Sequence, residues 1–110
     1  MHLKKNGYKI LARNLRLPMG EIDILCEHKK TGTIIVVEVK ARQHPKNGSR
    51  QIDPEASITN AKKAKLRTLT QALLKRPEYH GRPVRIDVIA IVFDRESRKP
   101  SEIRHYESAV

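Results

Sequence analysis

Ile34-Ile35-Val36-Val37 runs directly into Glu38-Val39-Lys40, and this junction constrains the fold more than any other part of the chain. Consecutive β-branched residues are stiff at χ1 and pack well on a pleated surface, so they favour an extended strand. Neighbouring side chains of a strand point to opposite faces, so an unbroken apolar run calls for a strand covered on both sides. The strand so read spans Thr33 to Ala41, and its terminal charges emerge from a buried element.

The rest of the chain supplies partners for it. Tyr8 to Ala12 follows an Asn6-Gly7 turn signal and reads as a first strand. Pro18 and Gly20 mark a turn into a second strand, Glu21 to Glu27, with Ile22, Ile24 and Cys26 expected on one face and Glu21, Asp23 and Leu25 on the other. The polar turn Lys29 to Gly32 joins it to the third strand as a hairpin. Gln43 to Ile52, with Pro45, Gly48 and Ser49, reads as a mobile loop. A helix follows, beginning near Pro54 or Thr59 and running to Lys75 before Pro77, with Ile58, Leu66, Leu69 and Leu73 at helical spacing and Lys62 on the same stripe. Val84 to Phe93 reads as a fourth strand. The order is β-β-β-α-β, and the helical crossover makes the third and fourth strands parallel in a mixed α/β sheet. The expected domain covers residues 1–94, followed by a polar tail over 95–110 with room for a short strand at Ile103 to Tyr106.

Composition narrows the class of partner. A chain of 110 residues holds one modest core, and with 4% aromatics that core is built from Ile, Val and Leu. The 23 Lys and Arg against 12 Asp and Glu leave a formal charge of +11, which attracts polyanions, nucleic acid above all. A generally basic protein has the same balance. Cys26 is the single cysteine, which excludes an internal disulfide and a multi-cysteine zinc site. No apolar run reaches the length of a membrane span, so a membrane role is not expected and the cytoplasm is the default compartment.

The chemistry sits at the end of the buried strand. Alternation puts Glu38 and Lys40 on one face, and a regular hairpin brings Asp23 beside Glu38. Two neighbouring carboxylates repel unless neutralised, and a divalent cation such as magnesium does so while keeping water and phosphate oxygens as further ligands. Lys40 can then orient a water and stabilise a phosphate transition state. The bland reading of Glu-x-Lys is a surface charge pair. Three features oppose it: the burial of the preceding strand, the acidic residue in strand two, and Lys62 interrupting the apolar stripe of the helix.

Taken in order, Gly20-Glu21-Ile22-Asp23-Ile24-Leu25, Val37-Glu38-Val39-Lys40-Ala41-Arg42, Lys62 followed by Leu66, and Arg85-Ile86-Asp87-Val88 closely resemble the YraN-like family of small bacterial proteins. Asn6-Gly7-Tyr8 and Ala12-Arg13-Asn14 resemble its opening strand, so the likeness runs from Leu3 to Phe93. That family looks like the restriction-endonuclease-like PD-(D/E)xK nucleases, nearest to archaeal-type Holliday junction resolvases. The resemblance implies a magnesium- or manganese-dependent endonuclease with Asp23, Glu38 and Lys40 as catalytic residues, Asp23 and Glu38 as metal ligands, and Glu21 as an accessory carboxylate. Family members carry a longer first helix with a glutamate near the site; here only Met1 to Asn6 precede the first strand, so that helix is expected to be largely missing.

Arg42, Lys46, Arg50, Lys62, Lys63 and Lys65, with Arg67, are the candidate contacts to a nucleic-acid backbone, DNA rather than RNA, and a branched substrate calls for a homodimer. His44 is a minor phosphate candidate. The other histidines, at 2, 28, 80 and 105, show no ligand spacing and read as surface residues. Asp87 reads as structural, paired with Arg85 or a helix lysine, and Cys26 as a buried strand residue. The competing function is a non-catalytic nucleic-acid-binding or assembly protein on the same fold.

Overall fold

A computed structural model describes residues 2–43 and 58–110. Its elements, in order, are α1 (His2–Lys5), β1 (Tyr8–Leu17), β2 (Gly20–His28), β3 (Ile34–Gln43), α2 (Asn60–Leu74), β4 (Val84–Phe93) and β5 (Pro100–Tyr106). The five strands form one mixed sheet in sequence order, β1-β2-β3-β4-β5. All neighbours are antiparallel except β3 and β4, which run parallel from Ile34↔Val84 to Gln43↔Phe93. A crossover through α2 produces that parallel pair, as the helix between them requires.

β3 is the middle strand, and Ile34 to Val37 are all fully buried. The apolar run needs cover on both faces, and two separate clusters supply it. On one face, α2 lays Leu66, Leu69 and Leu73 over Ile22, Leu25, Ile34, Val36 and Ile86. On the other, Leu3 of α1 and Tyr8 pack with Cys26, Ile35, Val37 and Ile89. The helix stripe read from sequence is therefore the face that meets the sheet. Thr59 caps the helix start, its side chain accepting from the Lys62 N–H at 3.1 Å. The alternative start near Pro54 and the loop over Gln43 to Ile52 fall largely outside the described residues.

One expectation needs correction, and two others gain detail. The first strand does not stop at Ala12; it continues to Leu17, because Leu15 and Leu17 reach the α2-side core while Arg13, Asn14 and Arg16 lie exposed along the edge strand. A polar residue costs little on such an edge. The opening segment forms one helical turn, α1, whose Leu3 is almost completely buried. The short strand expected at Ile103 to Tyr106 is present and starts earlier: β5 spans seven residues against β4, and beyond it the Ala109 N–H donates to Ile86 O at 2.9 Å.

At the β2–β3 turn, Gly32 holds φ +73°, a left-handed conformation that favours glycine, and its N–H donates to His28 O at 2.8 Å. This turn sets the register that matters for the site: Glu27↔Ile34 through Ile24↔Val37.

Candidate active site

Glu38 leaves β3 on the α2 side, one row past Val36, and is 5% exposed. Its Oε1 lies 3.5 Å from Lys40 Nζ and 3.6 Å from Lys62 Nζ. The lysines arrive by different routes. Lys40 is two residues along the same strand, and Lys62 projects from the first turn of α2. At these separations the contacts are electrostatic rather than short hydrogen bonds, so two cations hold one carboxylate without fixing it rigidly.

Asp23 occupies the row after Ile24↔Val37, where regular β2–β3 pairing ends. Its Oδ2 accepts from the Val39 N–H at 2.9 Å, standing in for the missing strand bond. This substitution explains a further correction. Ile22 does not share a face with Ile24 and Cys26; it joins Leu25 in the α2-side core, while Cys26 and Ile24 pack on the α1 side. Strict alternation is lost where a side chain replaces the ladder. Asp23 also lines a shallow groove of about 430 Å³ with Arg13, Asn14, Ile24 and Val39.

Among the described residues, no three His, Cys, Asp or Glu side chains gather closely enough to hold a metal ion. Glu21 stands apart, 3.7 Å from Arg16 Nε at the β1–β2 edge. Asp23 and Glu38 remain as a two-carboxylate set. Magnesium is commonly held by one or two carboxylates, with water and substrate phosphate completing six ligands, and these two are the candidates for it; among the described residues no three-carboxylate cage is formed.

The candidate phosphate contacts divide. Lys62 reaches the site, Lys63 and Lys65 lie on α2, and the stem of Lys65 packs close over Gly20. Arg42 lines a depression of about 350 Å³ with Ala41, Gln43, Phe93 and Arg98. Arg98, from the β4–β5 turn, was not among the residues singled out from sequence. Lys46, Arg50 and His44 lie outside the described residues.

A second cluster, on the α1 side, was largely missed. Asp87 is fully buried. Arg85 Nε donates to it at 2.9 Å, His105 Nε2 lies at 2.8 Å, and the Ser108 N–H donates at 3.0 Å. Burial pushes this carboxyl up, but the hydrogen bonds from His105, Arg85 and Ser108 outweigh it and hold it below the usual Asp range. The Asp87 hydrogen bond raises Arg85 further above its ordinary value. Arg85 Nη2 also donates to Tyr8 Oη at 2.6 Å, and Tyr8 Oη donates to Glu107 Oε1 at 3.3 Å. His2 Nε2 lies 3.4 Å from His105 Nδ1, and the His28 ring meets Tyr8 edge-on. The histidines at 2, 28 and 105 are thus not scattered surface residues; they rim one depression of about 380 Å³ with Asn6, Tyr8 and Glu107. Sequence spacing gave no sign of this, since His2 and His105 are 103 residues apart.

The model for uncharacterised protein family UPF0102 matches residues 1–91. The chain belongs to this family. A UPF0102 protein of Pelotomaculum thermopropionicum is 39% identical over 109 residues, covering 98% of this chain and 84% of that one. A UPF0102 protein of Thermodesulfovibrio yellowstonii is 40% identical over 111 residues, with the same coverage of 98% and 84%. One of Persephonella marina is 40% identical over 91 residues, covering 83% of this chain and 73% of that one. These matches bear out the YraN-like identity read from the Asp23, Glu38-x-Lys40 and Arg85-Ile86-Asp87 motifs. No helix among the described residues of this UPF0102 chain is long and apolar enough to cross a membrane.

Proposed function

We propose that this UPF0102 protein is a magnesium- or manganese-dependent endonuclease of restriction-endonuclease-like fold, acting on branched DNA in the manner of a Holliday junction resolvase. The observation that carries the reading is the convergence of Lys40 and Lys62 on Glu38, with Asp23 tied to the intervening Val39 N–H. The sheet order, with α2 crossing between parallel β3 and β4, agrees with it. Asp23 and Glu38 would hold the ion, which supplies charge neutralisation at the scissile phosphate and an acidified water. Lys40 stabilises negative charge on the phosphate oxygens, and Lys62, from the helix, positions the phosphate. The +11 charge supplies backbone affinity, with Arg42 and the α2 lysines as its local contribution. A homodimer would place two such sites for paired cuts, and the cytoplasm is where the substrate lies.

Magnesium titration by calorimetry, wild type against Asp23→Ala, followed by cleavage of a labelled four-way junction, tests this. Saturable binding lost in the variant, with cleavage lost in both Asp23→Ala and Lys40→Ala, is the expected result. Equal cleavage by all three proteins would remove the reading.

A second reading is a non-catalytic nucleic-acid-binding protein on the same scaffold. It is favoured by one observation: Glu38 is already balanced by two ammonium groups without a metal. It predicts DNA binding that weakens with salt and is indifferent to magnesium.

A further inference from the structure

We propose that the outer edge of β5 is a docking surface for a second copy of this chain, the two β5 strands pairing antiparallel about Ile103 into one continuous sheet. β5 ends the strand order, and no strand among the described residues covers its outer side. The Ala109 N–H donates to Ile86 O, and Ser101 Oγ donates to Val92 O. By the two-residue period of a strand, Val88 and Ala90 also turn their backbone groups toward β5. Their partners Tyr106 and Arg104, with Glu102 opposite Val92, are engaged in that ladder. Ile103 and His105 are left with N–H and C=O aimed at the open edge.

An edge strand is normally kept from pairing by like charges, bulges or proline. β1, the opposite edge, has such protection. Lys9, Arg13 and Arg16 share one sign, the register shifts between Ile10 and Ala12, and Asn14 sits at φ +50°. The charges of β5 differ: Glu102 and Arg104 flank Ile103 with opposite signs. When Ile103 faces Ile103 of the second copy, each Glu102 faces the other copy's Arg104. Two opposite-charge cross-strand pairs then form at once. Within one chain the same two residues pair at 3.0 Å, so the two-fold axis joins two existing pairs into a four-charge cluster.

The apolar side chains agree with this register. Ile103 is 45% exposed and lines an apolar depression of about 300 Å³ with Ile24, Val39 and Ile91 on the α1 side. Opposed to its copy, it leaves water and makes the two depressions one apolar strip. Residues directly opposite share a face, so both α2 layers, and both Glu38 sites, lie on one side of the joined sheet. At about 4.8 Å per strand, the two β3 strands stand roughly 24 Å apart. This gives the homodimer of the nuclease reading its interface, while the pairing itself rests on β5 alone.

Sedimentation velocity of the full chain, without nucleic acid or metal and from micromolar to millimolar concentration, tests it. Wild type should pass reversibly from monomer to dimer. Glu102→Arg sets like charges opposite each other twice and should weaken dimerisation roughly 10- to 100-fold. Adding Arg104→Glu to Glu102→Arg restores the complement and should recover the dimer. Ile103→Pro removes an N–H aimed at the open edge and none from the β4–β5 ladder, so it should keep the circular dichroism of wild type and stay monomeric. A wild type that is monomeric throughout overturns the proposal. So does a dimer that persists in both Glu102→Arg and Ile103→Pro, or a double variant that fails to recover. A wild-type dimer that cleaves no junction supports the interface and counts against the nuclease reading alone.

Discussion

Two buried carboxylates, Glu38 and Asp87, sit on adjacent strands one row apart and face opposite sides of the same sheet. Asp87 is held by short hydrogen bonds from Arg85, His105 and the Ser108 N–H, each donor fixed by the fold. Glu38 is held by two flexible ammonium groups at 3.5 and 3.6 Å. The difference separates a charge consumed by structure from one kept available. A carboxylate saturated by fixed donors has no lone pair to offer a ligand, and one balanced by mobile lysines can exchange those partners for a metal or substrate.

The comparison is open to attack first at Asp87. Asp87→Ala strands Arg85 and His105 in a buried setting and should destabilise the fold by about 3–5 kcal/mol in urea unfolding. A loss of under about 1 kcal/mol would show that Asp87 is no anchor. The second attack is by acid. Asp87 has a folded pKa below its unfolded value of about 3.9, so its contribution is present above that value and is lost as pH falls through the depressed folded pKa. The stability of wild type should therefore fall more steeply than that of Asp87→Asn below about pH 4, and parallel curves would contradict the assignment.

Cys26 offers a kinetic probe of the Asp87 side. Burial, with the Asp87 charge adding to it, pushes its thiol up to about 12. Thiol reagents at pH 8 should react with it about a thousandfold more slowly than with a free cysteine, and at the free rate after unfolding. The smallest effects belong to the other side. Glu38→Gln and Lys62→Ala should each cost less stability than Asp87→Ala, because the Lys40 and Lys62 ammonium groups keep contact with water, while Glu38→Gln should abolish the magnesium binding proposed above. A large stability loss in Glu38→Gln would place Glu38 with Asp87 and erase the distinction.

The sequence made one of these carboxylates conspicuous and hid the partners of the other. Glu38 and Lys40 were legible because alternation along one strand is a local rule, and Lys62 was legible as a break in the stripe Ile58, Leu66, Leu69, Leu73. The parallel β3–β4 pair followed from the crossover helix. The exact phase of β2 was not legible, since nothing local signals that the Asp23 side chain replaces a strand bond at Val39. Leu15 and Leu17 were passed over because Arg13, Asn14 and Arg16 mask their alternation. The His2, Tyr8, Arg85 and His105 grouping was beyond reach for another reason: it is assembled by the two edges of the fold and has no spacing. Arg85 beside Asp87 was its one local trace.

The hydrogen bonds that satisfy Asp87 also impose a schedule. His105 lies 18 residues and Ser108 21 residues further along the chain. At synthesis rates of about 5–20 residues per second, Asp87 waits roughly one to four seconds for them. During that interval Arg85 already pairs with Asp87, but the His105 and Ser108 donors are absent from the face that carries Tyr8 and Ile89, whereas α2 is already made and can dock on the other. The Glu38 side can therefore take shape first, and β5 with Ser108 completes the polar shell of Asp87 afterwards.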